Sequence, residues 1–253
     1  MIPIFIGWDP RETVAYHVLA HSLIRHSSQS LAITPVGSDV LAPDLWWRPR
    51  GQYDSTAFST ARFAVPALMN YRGWALFMDC DMLATRDVAE LWAQRDPSKA
   101  IMVRKHERHP EKAIKFLGTR QTKYARKNWS SLMLINCSHP AAKNLTLQYI
   151  NNAEGLALHG FEWCGAEDIG AISGTWNELA PEDNSPLGAD LDAHLIHYTL
   201  GGPWQGERPV GAKAWTWELL HLLANGNPAG AASAATLGAV TNVQVSYAPL
   251  EPA

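Results

Sequence analysis

The segment Trp74-Ala75-Leu76-Phe77-Met78-Asp79-Cys80-Asp81 constrains this chain more than any other. An uninterrupted apolar run of that length reads as a strand buried on both faces, as in a parallel sheet covered by helices. Residues i and i+2 of a strand share a side, so Asp79 and Asp81 aim together. Two carboxylates converging at the end of a buried strand repel one another and are costly to desolvate. A hard divalent cation between them relieves both penalties. The pair also fits a solvated turn that ends the strand, so its context has to decide.

That context is a chain of 253 residues, long enough for one substantial α/β domain. Strands are expected at Ile2–Ile6, Leu31–Val36, Ala100–Val103, Trp129–Asn136, Thr175–Leu179 and in the run that leads to His197. Helices are expected after Asp9, over Ser59–Tyr71, after a cap at Thr85 or Asp87, and over Pro140–Asn151. The fold class is therefore α/β, a mostly parallel sheet flanked by helices in a single domain. The domain is expected to span 1–224, followed by a weakly ordered or loosely packed Ala/Gly/Pro-rich tail over 225–253 with one edge strand near Val243-Gln244-Val245.

Charge and cysteine content exclude several classes. A net charge of -3 argues against bulk nucleic-acid binding. Cys80, Cys137 and Cys164 are odd in number and far apart, which fits a reducing compartment and neither a disulfide frame nor a structural zinc site. No signal peptide or membrane span is apparent, so a cytoplasmic protein is expected. The one strong charge asymmetry is the basic stretch 104–127. It reads as a solvated helical face, with a phosphorylated acceptor or peripheral membrane contact as the alternatives. Walker, G-x-G-x-x-G, H-E-x-x-H and G-x-S-x-G elements are missing from the sequence.

Five further residues carry potential chemistry. Asp9 follows the first strand and precedes Pro10 and Glu12, which suits an N-cap with a capping-box partner and equally suits the rim of a ligand crevice. Arg62 lies on the helix upstream of Asp79 and Asp81, placed to bind a diphosphate, to pair with the aspartates, or simply to face solvent. Glu167-Asp168 sits among small and apolar residues, as a sugar-binding or charge-stabilising pair or as a helix cap. His197 ends an apolar run before Gly201-Gly202-Pro203, and a lone histidine there is either structural or a ligand.

Together, Arg62-Phe63-Ala64-Val65-Pro66-Ala67-Leu68 followed by Leu76-Phe77-Met78-Asp79-Cys80-Asp81, then Ser130 to Asn136, Glu167-Asp168 with Trp176-Asn177, and His197 with Gly201, Pro203 and Trp204 resemble retaining glycosyltransferase family 8. This is the glycogenin and bacterial galactosyltransferase group, of GT-A fold, and the likeness covers roughly residues 2 to 204. It implies a hexosyltransferase that uses a nucleotide-sugar donor, a UDP-sugar first, and a glycan, lipid-linked or protein acceptor, with Mn²⁺ or Mg²⁺ as cofactor. Carried over by motif, Asp79, Asp81 and His197 hold the metal. Asp9, Arg62, Asp79, Gly201 and Gly202 face the nucleotide sugar, and Glu167, Asp168 and Arg62 surround the reacting carbon.

The chain departs from that pattern at three points. Ala166 and Glu167 stand where the family has the first aspartate and the glutamine of its D-Q-D element. The late loop lacks the family's lysine, which leaves Lys213 and Arg208 as candidate partners for the β-phosphate. The first turn reads Asp-Pro-Arg-Glu, where the family has Asp-Asn-Tyr. A sugar-phosphate nucleotidylyltransferase is a weaker fit because the chain has no Gly-rich, Arg-containing first loop. A non-catalytic nucleotide- or carbohydrate-binding protein on the same fold is the other alternative.

Overall fold

The computed structural model describes residues 1–51, 54–106, 126–181, 190–207 and 209–225. Most of the basic stretch, Arg208, and the tail beyond Asn225 with its expected edge strand lie outside the described residues. No helix among the described residues is long and apolar enough to cross a membrane.

A six-stranded sheet organises the molecule. Its strands are β1 (Ile2–Gly7), β2 (Leu31–Val36), β3 (Trp74–Met78), β5 (Ile101–Val103), β6 (Leu132–Asn136) and β7 (Ile169–Ala171), in the order β2-β1-β3-β6-β5-β7. β1 pairs in parallel with β2 and β3, and β5 with β7, while β6 runs antiparallel to both β3 and β5. Five of the six strands therefore point one way and β6 alone reverses. This is the mixed, mostly parallel α/β sheet that the sequence predicts. Central β6 is buried at every position and β3 at all but its first residue, as continuous apolar runs require.

A second, three-stranded sheet is built from β4 (Met82–Ala84), β8 (Glu178–Leu179) and β9 (Leu195–His197), in the order β4-β9-β8. It grows directly out of the Asp79–Asp81 segment, because β4 starts at the next residue. Helix α1 (Thr13–His26) covers β4, and α6 (Ala212–Asn225) packs on α1. The short helices α2 (Val65–Leu68), α3 (Val88–Trp92), α4 (Leu147–Asn152) and α5 (Gly155–His159) fill the remaining connections.

Two expected helices are shorter than their periodicity suggests. The segment Ser59–Tyr71 forms a 3₁₀ turn at Ala61–Ala64 and a single α-turn at α2, which ends where Asn70 and Tyr71 adopt left-handed backbone, φ 50° and 53°. The segment Pro140–Asn151 breaks at Leu145, and Thr146 then caps α4 by accepting from the Tyr149 amide. Helix α6 has no counterpart among the helices expected from the sequence.

Candidate functional site

The pocket lies beyond the carboxyl ends of β1 and β3, where a ligand crevice is expected in an open α/β sheet. Ile6 pairs with Met78, which brings the β1 turn level with Asp79. The Asp79 amide donates to the Ser131 carbonyl at 2.9 Å, extending the β3–β6 ladder by one step. Asp79 and Asp81 face the pocket, while Cys80 between them is fully buried. This is the alternation of a strand carried one turn past its last pair.

The β4–β9 pairing supplies His197. Met82 pairs with His197, and the Tyr198 amide donates to the Asp81 carbonyl at 2.9 Å, so a residue more than a hundred positions downstream is stitched beside Asp81. His197 Nε2 lies 3.2 Å from Asp81 Oδ1. One ligand atom from each of Asp79, Asp81 and His197 falls within 4.8 Å of the others.

The other face of His197 is tied to buried polar groups. Its Nδ1 lies 2.7 Å from Asn177 Oδ1. The Asn177 amide nitrogen donates to the Asn128 carbonyl at 3.2 Å and to Ser131 Oγ at 3.0 Å, which fixes the amide's orientation. The oxygen of Asn177 therefore faces His197 Nδ1, and Nε2 on the other side of the ring faces Asp81. Two carboxylates and an imidazole nitrogen converging within 4.8 Å are an arrangement that a cation relieves. The donor set therefore fits a divalent ion.

Arg62 closes the opposite side. Its side chain is 6% exposed, with Nη1 2.8 Å from Asp79 Oδ1 and 2.8 Å from the Ser130 carbonyl. The guanidinium lies over the rings of Phe58 and Phe77 at 5.3 and 5.0 Å. Of the three expectations for Arg62, pairing with an aspartate is the one the fold realises directly, and Arg62 also lines the pocket. Gly7 lets the Phe58 ring approach, since a Cβ there would lie 2.5 Å from it.

Asp9 is completely buried and caps the 3₁₀ turn that leads into α1. It accepts from the Arg11 amide and guanidinium and from the Ala57 amide at 2.9 Å, and Arg50 approaches to 3.7 Å. These bonds pull down segment 54–58, whose Ser55, Thr56 and Phe58 line the pocket. The capping reading of Asp9 is the one its hydrogen bonds express. Those bonds lower its pKa against the opposing effect of burial.

Glu12 departs from its expected capping-box role. The Asp9 cap is answered by the Arg11 amide, and the Glu12 carboxylate turns into the pocket, accepting from Cys80 Sγ at 3.6 Å and Gln205 Nε2 at 3.4 Å. Burial, and then the neighbouring Asp81 charge, push its pKa up to about 8. Asn128 also lines the pocket and belongs to none of the sequence motifs. It is 9% exposed with a left-handed φ of 63°, and its buried Nδ2 has no hydrogen-bond partner among the described residues. The signal for Asn128 was weak, one residue before a tryptophan in a polar stretch.

Of the late loop, Gly201 lines the pocket with φ 111°, and Gly202 caps the Pro203–Gln205 turn beneath the Trp204 ring. Lys213 is exposed on α6 and is not part of the pocket lining.

Glu167 and Asp168 are not brought to this cluster. They form a 3₁₀ turn that precedes β7, and the Asp168 carbonyl accepts from the Ala100 amide. Ile169 pairs with Ile101, Ile101 with Ile135, and Ile135 with Ala75, so the acid pair is level with the start of β3. At about 3.3 Å per residue that is roughly 16 Å along the strands from Asp79, and three strands to the side. Asp168 accepts from the Gly165 amide at 3.0 Å, and Glu167 is exposed. The expectation that they surround the reacting carbon is corrected by sheet register.

With this geometry in hand, relatives place the chain. Protein CDI of Arabidopsis thaliana is 45% identical over 204 residues, which are 79% of this chain and 78% of that protein. The chain belongs to the Protein CDI family. No family model matches the sequence. Solved structures with the Protein CDI family's fold include the bifunctional glycosyltransferase WbbM, at a TM-score of 0.58 and 12% identity over 88% of this chain and 51% of that one. The galactosyltransferase LgtC, solved with donor and acceptor sugar analogues, matches at a TM-score of 0.58 and 14% identity over 87% and 96%. The glycosyltransferase GlyE of Streptococcus pneumoniae TIGR4 matches at 0.57 and 14% over 87% and 61%. This chain therefore spans about half the length of WbbM. At these identities the likeness is one of fold, and that fold is the GT-A fold of glycosyltransferases.

Proposed function

We propose that this chain, over residues 1–224, is a divergent member of retaining glycosyltransferase family 8. In this reading it transfers a hexose from a nucleotide diphosphate sugar, a UDP-sugar first, to an acceptor hydroxyl. The observation that carries the reading is the convergence of Asp79, Asp81 and His197 at the crevice of a GT-A sheet. Two carboxylates and one imidazole suit Mn²⁺ better than Mg²⁺, which prefers an all-oxygen shell. Bound there, the ion would supply Lewis-acid neutralisation of the leaving diphosphate.

The chain's own residues have separate tasks. Arg62, held by Asp79 and the Ser130 carbonyl, adds a fixed cation at the pocket wall for the diphosphate. Asn128 Nδ2, without a partner among the described residues, offers a donor to an oxygen of the nucleotide sugar. Asp9 holds the Ser55–Phe58 wall that the nucleotide would meet, and Gly201 keeps the late loop close to it. A covalent step would use Glu167 or Asp168, and their distance from the cluster supports front-face retention, with the leaving phosphate accepting the acceptor's proton.

A thermal-shift and calorimetric screen of UDP-, GDP- and CMP-sugars with and without Mn²⁺ tests this. The expected outcome is Mn²⁺-dependent binding and slow hydrolysis of one donor, both lost in Asp81→Ala. Wild-type protein that binds no nucleotide sugar with Mn²⁺ present would overturn the reading.

A further inference from the structure

We propose that Asn177 is the positioning residue that holds the Nδ1 proton of His197 and so keeps Nε2 free to act as a ligand, an inference that rests on the metal reading above. Asn177 is completely buried and sits in the left-handed region at φ 61°, a conformation that Asn and Gly tolerate and most residues do not. Keeping an asparagine in that backbone, inside the protein, calls for a polar task.

The task is set by a closed circuit of four groups. Ser131 Oγ donates to the Asn128 carbonyl at 2.6 Å and accepts from Asn177 Nδ2, which also donates to the Asn128 carbonyl. With both amide protons used, Asn177 can offer His197 only its oxygen, at 2.7 Å. A flipped amide would set its NH₂ against the imidazole and its oxygen against the Asn128 carbonyl, and would break the circuit. Imidazole has one proton to place when neutral, and this circuit places it on Nδ1. Nε2, 3.2 Å from Asp81, is left with its lone pair. The circuit is anchored on the same stretch, Asn128 to Ser131, that takes the Asp79 amide and Arg62. One loop thereby holds Asp79 directly and His197 through Asn177.

Asn177→Gly tests this, because glycine accepts φ 61° without strain while removing the acceptor. Two readouts separate the inference from the metal reading. In the metal-free protein at alkaline pH, imidazole ¹⁵N spectra, with His197 identified by comparison with His197→Gln, are expected to show the Nδ1-protonated tautomer in wild type and its loss in Asn177→Gly. A wild-type His197 protonated on Nε2 overturns the inference whatever the metal does. In a Mn²⁺ titration followed by electron paramagnetic resonance, Asn177→Gly is expected to bind about 10- to 100-fold more weakly than wild type, the usual cost of losing a partner that orients a ligand. Equal affinity with an unchanged tautomer overturns it. A wild type that binds no Mn²⁺ sinks the metal reading and leaves the tautomer to decide this one.

Discussion

Glu12 is the least expected side chain in the pocket. Its carboxyl is buried beside Cys80, with Asp81 and Asp9 nearby, and its pKa rises from 4.5 to about 8. Between those values the unfolded chain has released a proton that the folded chain retains, so this group's contribution to stability falls as pH rises through the window. The metal-free wild type is therefore expected to lose thermal stability from pH about 4.5 to about 8 relative to Glu12→Gln, and paired unfolding scans measure the difference. Each kcal/mol is worth about 2–4 °C in a chain of this size. Asp9 has the opposite sign. Its lowered pKa adds stability above the unfolded value of 3.8, and that stability is lost as pH falls through the folded value. Asp9→Asn should flatten the acid side of the stability profile and, by loosening the Ser55–Phe58 wall, weaken nucleotide binding while leaving Mn²⁺ affinity unchanged.

Caps and breaks decide where the elements end. Asp87 Oδ1 accepts from the Ala89 amide at 2.9 Å and from the Ser28 amide at 3.2 Å, so one carboxylate starts α3 and ties it to the end of α1. Asp87→Ala is expected to destabilise the fold by about 1 kcal/mol, a typical cost for a lost N-cap. Chemical denaturation should report this as a lower midpoint with an unchanged slope. The strands are less forgiving. Leu134 is fully buried on β6 between β3 and β5, and Leu134→Ala should cost about 2–5 kcal/mol by the same measurement.

Helix α6 joins the two ends of the described chain. Glu218 on α6 is 2% exposed and accepts from Arg25 Nη2 at 2.8 Å and Nε at 3.1 Å, with His21 Nδ1 at 2.6 Å. Trp215, Tyr198, Ile196 and Leu83 form a second small core between α6, β9 and β4. The sheet that carries His197 is therefore braced from behind by α6. Glu218→Ala leaves Arg25 without its partner, and since Arg25 is about a third exposed the expected cost is roughly 1–3 kcal/mol, below that of a fully buried pair. It should also weaken Mn²⁺ binding several-fold by loosening β9, which a Mn²⁺ titration at a temperature below the unfolding transition would show.

Strands β1, β3 and β6 and the facing of Asp79 and Asp81 were legible in the chain's order of residues, because apolar runs and period-two alternation are local properties. The turn at Asp9 was legible for the same reason, and the α3 cap was narrowed to Thr85 or Asp87, of which the fold uses Asp87. Pairing is not local. That β9 lies against β4 brings His197 to Asp81, and the family resemblance anticipated that where periodicity could not. Register also carried Glu167 and Asp168 to the far end of the sheet and set Asn177 behind His197. Each of those outcomes depends on which strand another strand meets, and at which residue. That choice is made by burying the whole sheet at once, so no short stretch of the chain encodes it.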